Sequence, residues 1–372
     1  MVFLFLIPIS TIFIWWNRKV KYNKLFLILL LAMVIIMGGS IENPDTGVYY
    51  DLYYTEDLFT KDILFGFLMV FFKQCGLNVD EFRLVICLMS LCLIYSVVFR
   101  YTQSPFIFTI LYISYPFFYD IVQLRNFLGI AVVIFALSIF YDNSKLKKII
   151  GLILFICAIL IQKTHLVIPV FILIAYFIKR NRKIRIITII TSLLLGVLCL
   201  SQSVMSIVSE ILIGLNLAGI EGFTERITNL GWIVPWVIHF ANCVILYYIK
   251  SNMLTKLENN VGKFTEAIYY INLASTICIF LYILNPTFTR ILRNIMIIDF
   301  IVIAYYLGRY LPQIKVANRN YEICLESMTI VIYCVAIFVL THVLDGSLEW
   351  IPNIFQYNWI LFGGSSHGLW LP

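Results

Sequence analysis

A succession of apolar runs separated by short polar gaps constrains this chain more than any other feature. The runs fall at about 2–16, 25–39, 63–76, 84–99, 105–119, 126–141, 149–162, 166–178, 186–213, 232–249, 265–284, 294–308 and 327–344. Hydrophobic residues make up 62% of the 372 positions and charged residues 13%, about half the charged share of a soluble domain. A globular fold of this size lacks the interior to hide so much apolar surface. Soluble, secreted and DNA-binding proteins are therefore excluded. At about 20 residues per crossing, the apolar content supplies roughly 10–12 transmembrane helices. The expected architecture is an all-α, polytopic integral membrane protein of about 12 transmembrane helices. It forms a single domain over 1–357. Residues 358–372, which include GGSSHGLWLP at 363–372, read as a tail, either a linker or an expression remnant.

The net charge of +7 is no nucleic-acid footprint, because the basic residues are scattered between apolar runs. The nine cysteines lie almost entirely inside those runs, with no CxxC pair and no Cys/His cluster. They read as small buried or lipid-facing groups, so no disulfide framework, metal site or redox cofactor is expected. The segment 1–16 carries no basic leader and no small-residue cleavage site, and reads as a retained helix.

Lys and Arg set the orientation, since they concentrate on the cytoplasmic side. The basic loops Arg18–Lys24, Lys145–Lys148 and Lys179–Arg185 should all lie inside, and so should Lys250–Lys263. Strict alternation satisfies this only if one apolar run fails to cross. The short run 63–76, with Lys73 and Gln74 near its end, fits a juxtamembrane or re-entrant helix on the outer face. Runs 149–162 and 166–178 then form two short spans, with an outer turn at 162–165 below the membrane surface.

Charged groups in or beside lipid are the first functional candidates. On this topology they collect on the outer side as Arg125, Lys163, His165, Arg290 and Arg293, together with the acidic loop 40–62. That loop holds Asp45, Asp51 and Asp62. It also holds Tyr49, Tyr50, Tyr53 and Tyr54 at helical spacing. The tyrosines suit an interfacial belt or the stacking of sugar rings. Asp45 and Asp51 are either solvated loop residues or groups that handle a hydroxyl. The loop is flexible in sequence and could close over a bound substrate. Arg125, at the start of an apolar helix, is either a snorkelling side chain paired with Asp120 or a ligand for an anion. Arg290 and Arg293 share a helix face just after Pro286. There the helix N-terminus favours anions, so the two suit a diphosphate; the plainer reading is a pair of boundary arginines. Asp299, farther along, reads as a structural partner for another helix. His165 is a satisfied turn residue or a base. His239 and His342, inside apolar runs, read as core.

With these residues in view, the chain resembles the EpsG family of Wzy-like polysaccharide polymerases. Asp45 and Tyr49 fit the family's first outer-loop pattern. QLRNFLGIAVVIFALSIF with Arg125, KTHLVIPVFILIAY with His165 and FTRILRNIMIIDF with Arg290 follow in the family's order. The chain departs at an acidic segment of the family pattern: Leu64 stands where a glutamate is expected, with Asp62 two residues earlier. The resemblance implies a fold similar to the GT-C class. It also implies polymerisation of undecaprenyl-diphosphate-linked repeat units on the outer face of a bacterial inner membrane.

A lipid diphosphate leaving group needs cations, and an acceptor hydroxyl needs a base. Arg125, Arg290 and Arg293 are the expected diphosphate ligands, and His165 is the expected base with Asp45 positioning the acceptor. Near the arginines the histidine should stay neutral. Tyr49, Tyr50, Asp51 and Lys163 are the expected substrate contacts. No cofactor and no metal is expected. The expected partners are the lipid-linked donor and acceptor, the bilayer and a chain-length regulator, with no nucleic acid. The alternatives are a lipid-linked oligosaccharide flippase or other transporter, and an O-antigen ligase. A membrane O-acyltransferase is disfavoured, because it would place its histidine toward the cytoplasm.

Overall fold

The computed structural model describes residues 24–54, 62–102, 104–142, 144–201, 203–204, 206–208, 210, 232–253, 260–284, 288–310, 319–343 and 347–364. The run 2–16, the basic residues of 18–23, Glu56, Asp57, Pro286 and 365–372 lie outside them. Among the described residues the chain is helical, with one isolated bridge between Ser40 and Asn358 and no strand. Helices α1 (Lys24–Gly39), α2 (Thr46–Tyr54), α3 (Ile63–Gln74), α4 (Val79–Tyr101), α5 (Pro105–Ser114), α6 (Phe117–Val122), α7 (Leu124–Phe140) and α8 (Lys145–Ile161) lead to a 3-10 turn, Lys163–Leu166. Then follow α9 (Val167–Arg180), α10 (Arg182–Leu198), α11 (Ile233–Met253), α12 (Asn260–Ser275), α13 (Leu281–Leu284), α14 (Thr289–Tyr305), α15 (Arg319–Phe338), α16 (Ile351–Gln356) and α17 (Trp359–Phe362).

Among the described residues, four helices are long and apolar enough to cross a membrane: Val79–Tyr101, Ile233–Asn252, Val261–Ile283 and Thr289–Gly308. The run 63–76 is the 12-residue α3. At 1.5 Å per residue α3 spans roughly 18 Å, well short of a hydrocarbon core of about 30 Å. Run 105–119 breaks at Pro116 into α5 and α6. In the stretch 149–178, α8 ends at Ile161 and α9 begins at Val167, with the 3-10 turn Lys163–Leu166 between them.

The chain divides into two compact units, residues 1–165 with 303–372, and residues 166–302. In the first, α7 is almost wholly buried and packs against α4 and α8. The start of α4 is fixed by a capping box. Asn78 Oδ1 accepts from the Asp80 and Glu81 amides at 3.0 and 2.9 Å, and Glu81 accepts from the Asn78 amide at 2.8 Å. Gly76, at φ +86°, makes the reversal that joins α3 to α4. Past the far end of α7, Asp142 pairs with Arg100 and Lys147, each at 2.7 Å. That brings Arg100 and the expected cytoplasmic segment Lys145–Lys148 to one end of the unit. Arg125 stands at the other end of α7.

The packed chain also continues beyond the boundary expected at 357. Asn358 is buried and donates to the Ile35 carbonyl at 3.0 Å, and Trp359 Nε1 donates to the Gly38 carbonyl at 3.2 Å. A Cβ on Gly39 would fall 2.1 Å from Asn358 Oδ1, so the glycine lets the two segments meet.

The second unit has the polarity of a lipid-facing bundle. Helix α10 buries Thr188, Ser192 and Gly196, four residues apart, and exposes Ile187, Ile190, Leu194 and Val197. Small residues on the inner face allow close helix approach. A Cβ on Gly196 would meet the Trp236 ring at 2.2 Å. Asp299 on the buried helix α14 accepts from Asn272 of α12, the structural partnership its position suggested. His239 is a satisfied core residue, with its ring nitrogens 2.9 Å from Ser275 Oγ and 3.3 Å from the Tyr282 hydroxyl.

Candidate active site

The segment before α2 is tightly tied rather than flexible. The Asp45 amide donates to Asn43 Oδ1 at 3.2 Å, an Asx turn, and the Asp45 carbonyl accepts from the Tyr49 amide at 3.1 Å. Asp45 therefore sits at the entrance to α2. Thr46 Oγ1 accepts from the Asn43 amide at 3.2 Å and from Arg83 of α4 at 3.4 Å, which fastens α2 to the first unit's core. The loop expected to be flexible is thus a helix over Thr46–Tyr54, because the Asx turn at Asn43 ties its start and its inner face is packed.

The four tyrosines divide by helical period. Tyr49 and Tyr53, four apart, are buried, and the Tyr53 hydroxyl donates to the Leu77 carbonyl at 2.8 Å. Tyr50 and Tyr54 lie toward the other side with their rings 4.8 Å apart, and Tyr54 is 39% exposed. The tyrosine rings that α2 leaves accessible are therefore those of Tyr50 and Tyr54, with the exposed Asp51 beside them. Tyr49, expected as a substrate contact, is an internal brace. Its hydroxyl accepts from the Arg125 amide at 3.2 Å, and its ring lies 5.9 Å from the Arg125 guanidinium and 5.8 Å from that of Arg83. Burial pushes the Tyr49 phenol above its ordinary range, so it stays protonated.

Arg125 is paired, but not with Asp120. Its Nη1 donates to Asp62 Oδ2 at 2.7 Å, across 63 residues of sequence. Asp120 is buried and accepts from the Tyr112 hydroxyl at 2.8 Å. The other oxygen of Asp62 faces the Lys163 amide at 3.4 Å, so one carboxylate ties the start of α7 to the turn that carries His165. The Lys163 side chain itself is exposed. The Asp62 and Arg125 side chains are only 10% and 24% exposed, and a guanidinium has five N–H donors. Asp62 and Tyr49 engage part of that set, and the remainder can meet a phosphate.

His165 lies one helical turn along α7 from Arg125. A Cβ on Gly129 would sit 2.1 Å from His165 Nε2 and 2.3 Å from Cδ2, so the imidazole lies against bare glycine backbone. Gly129 and Arg125 are four apart and share a face of α7. The ring is 1% exposed, and neither nitrogen makes a hydrogen bond of ordinary geometry. Burial pushes the imidazole down to about 4, and the Asn126 backbone opposes this in part. The histidine is neutral at pH 7, as expected, but burial rather than the neighbouring arginines makes it so.

Asp45, Tyr49, Asp62, Arg125, Lys163 and His165 all belong to the first unit. Arg290 and Arg293 belong to the second, in the first turn and a half of α14, with Arg290 half-buried and Arg293 buried. Sequence reasoning named Asp62 without a role and passed over Arg83 and Gly129. A glycine one turn after an arginine, in a helix otherwise rich in large side chains, is the signal that would have found the close approach.

A family model, that of the EpsG family, matches residues 2–359. No curated protein and no solved structure matches the chain.

Proposed function

The chain belongs to the EpsG family, and on that premise we propose that it joins undecaprenyl-diphosphate-linked oligosaccharide repeat units into a polysaccharide. The family points to a membrane polysaccharide polymerase, and the apolar helices fit a protein of the membrane. The finer reading has the active site on the outer face of a bacterial inner membrane, in a GT-C-like fold of about 12 crossings.

In this reading a hydroxyl of the acceptor repeat unit attacks the anomeric carbon of the donor. The new glycosidic C–O bond forms, the bond from that carbon to the diphosphate breaks, and undecaprenyl diphosphate leaves with the electron pair. Arg125 holds phosphoryl oxygens and stabilises the charge that develops on them. Arg290 and Arg293, carried by the second unit, are two further candidate phosphate ligands. His165, neutral and on a helical turn, takes the hydroxyl proton. Asp45 positions the acceptor sugar, with Tyr50 and Asp51 beside it and Lys163 at the rim. An arriving diphosphate competes with Asp62 for Arg125. Because Asp62 also touches the turn at Lys163, its release loosens the turn that carries His165.

One observation carries this reading. Among the described residues, a guanidinium with a single carboxylate partner and a neutral imidazole sit one turn apart along the same face of α7. The test is substitution of the arginines in purified protein given a lipid-linked repeat unit. Losing one charged hydrogen bond to phosphate costs about 1.5–3 kcal/mol. Arg125→Ala and Arg290→Ala should therefore each slow polymerisation roughly ten- to a hundredfold, and lysine should rescue poorly for want of the bidentate fork. Full activity of either alanine variant in folded protein removes that arginine from the mechanism.

A further inference from the structure

The basic segments 179–185 and 250–263 meet inside the second unit, at Tyr270 of α12. The Tyr270 hydroxyl oxygen lies 2.8 Å from Lys250 Nζ and 3.1 Å from Arg185 Nη2. Ammonium and guanidinium groups are donors only, so the phenol oxygen accepts from both. Its two lone pairs are then engaged, and its own O–H hydrogen must find a different acceptor. Tyr270 is 4% exposed, and among the described residues nothing accepts that hydrogen. The Tyr270 O–H hydrogen and the Arg185 Nε–H thus lie side by side with no acceptor among the described residues, and the ammonium and guanidinium have further N–H donors to offer.

The charges there are equally one-sided. Lys250 is 8% exposed, and Arg185 Nε is buried with no hydrogen-bond partner. Glu266, one turn before Tyr270 on α12, is already paired with Lys179 at 2.7 Å. Among the described residues neither Lys250 nor Arg185 pairs with a carboxylate. Aromatic rings supply part of the compensation. Lys250 Nζ stands 4.1 Å from the Tyr270 ring centroid and 4.6 Å from that of Tyr269, and the Arg185 guanidinium is 5.2 Å from the Tyr270 ring. Ring faces attract a cation but accept no strong hydrogen bond, so the buried Lys250 ammonium and the half-buried Arg185 guanidinium still lack a counter-ion among the described residues. Exposed Arg180, Arg182 and Lys183 add to the positive potential nearby.

We propose that Arg185, Lys250 and Tyr270 form a binding site for the phosphate of an anionic phospholipid headgroup, at the end of the second unit that the charge pattern places on the cytoplasmic side. Basic pockets between transmembrane helices on that side suit anionic headgroups, and the inner leaflet supplies them at high local concentration. The three donors match a phosphodiester: a guanidinium edge, an ammonium and a neutral O–H. The proposal does not depend on the polymerase reading, since none of its residues takes part in that chemistry.

The experiment is native mass spectrometry of the detergent-purified full chain. Phosphatidylglycerol and phosphatidylcholine with identical acyl chains are supplied at equal concentration. The wild type should retain phosphatidylglycerol in preference by about tenfold or more, the effect of charged hydrogen bonds to phosphate. Arg185→Gln with Lys250→Met should bind the two lipids equally, while the surface variant Arg182→Gln with Lys183→Gln keeps the preference. Tyr270→Phe, which leaves both cations in place, should lower the preference severalfold and covers the case in which the double variant does not fold. Displacement of phosphatidylglycerol by excess inorganic phosphate would keep the anion site but assign it to free phosphate rather than a headgroup. No preference in the wild type, or an undiminished preference in the folded double variant or in Tyr270→Phe, would overturn the proposal.

Discussion

Gly129→Ala is the sharpest perturbation of the candidate site, because it leaves every proposed functional group chemically intact. The new methyl would lie 2.1 Å from His165 Nε2, and ordinary contact begins at 3.4 Å, so the ring must retreat by about 1.3 Å. Helix α7 cannot yield instead, since it is buried along almost its whole length. Overpacking of this kind costs about 1–3 kcal/mol of stability, which a thermal shift in detergent would register. The effect on the reaction should be larger. Misplacing a reacting group by about 1 Å costs on the order of 10²-fold in rate, equivalent to about 2.7 kcal/mol of barrier. The assay is single-turnover formation of polymer from a lipid-linked repeat unit, run on Gly129→Ala, His165→Ala and the double variant. If the methyl acts through the imidazole, Gly129→Ala should lose about a hundredfold in wild-type background and almost nothing in the His165→Ala background. Near-wild-type turnover of Gly129→Ala would refute the reasoning. So would the same loss in both backgrounds, which would mean that the methyl damages the helix and not the base.

Two further outcomes follow from the same geometry. Asp62→Asn should slow polymerisation by loosening Arg125 and the His165 turn, and should cost about 1–3 kcal/mol of stability, because it leaves a mostly buried guanidinium without its carboxylate; a variant with unchanged kcat and KM would show that Asp62 neither holds nor releases anything the reaction uses. The His165 imidazole has a folded value of about 4 against an ordinary 6.5, so between those values the unfolded chain binds a proton that the folded chain refuses. The stability from burying it neutral is complete above pH 6.5, is lost as pH falls, and levels off below about 4, with a total of up to about 3 kcal/mol. Thermal midpoints across that range should fall less for His165→Gln than for wild type, and parallel curves would show that the ring titrates normally.

The sequence made local features legible and left long-range pairings hidden. The helix break at 162–165 could be read because two apolar runs, each too short to cross easily, flank a polar gap. The helix of α2 could be read from tyrosines at 49, 50, 53 and 54, since period 3.6 is a local property. What that period could not supply was which tyrosine faces inward; packing against Phe65, Phe82 and Arg83 decides it. Asp120 was the nearer carboxylate in sequence to Arg125, yet Asp62 is the partner. Asp120 points into the core, where the Tyr112 hydroxyl satisfies it, and nothing local to either residue reports that. The place of His165 against Gly129 was hidden for the same reason. An exposed turn and a turn folded back onto a helix have the same composition.

The central claim is that this chain makes glycosidic bonds at the expense of a lipid diphosphate, with Arg125 and His165 at the reacting centre. Its most direct test uses purified protein in proteoliposomes, supplied with a single undecaprenyl-diphosphate-linked repeat unit and no other enzyme. The account predicts a ladder of products, one undecaprenyl diphosphate released per bond formed, and loss of both in Arg125→Ala and His165→Ala proteins that remain folded. Movement of the unaltered lipid-linked unit across the bilayer, with no ladder and no released diphosphate, would contradict it and identify a transporter instead.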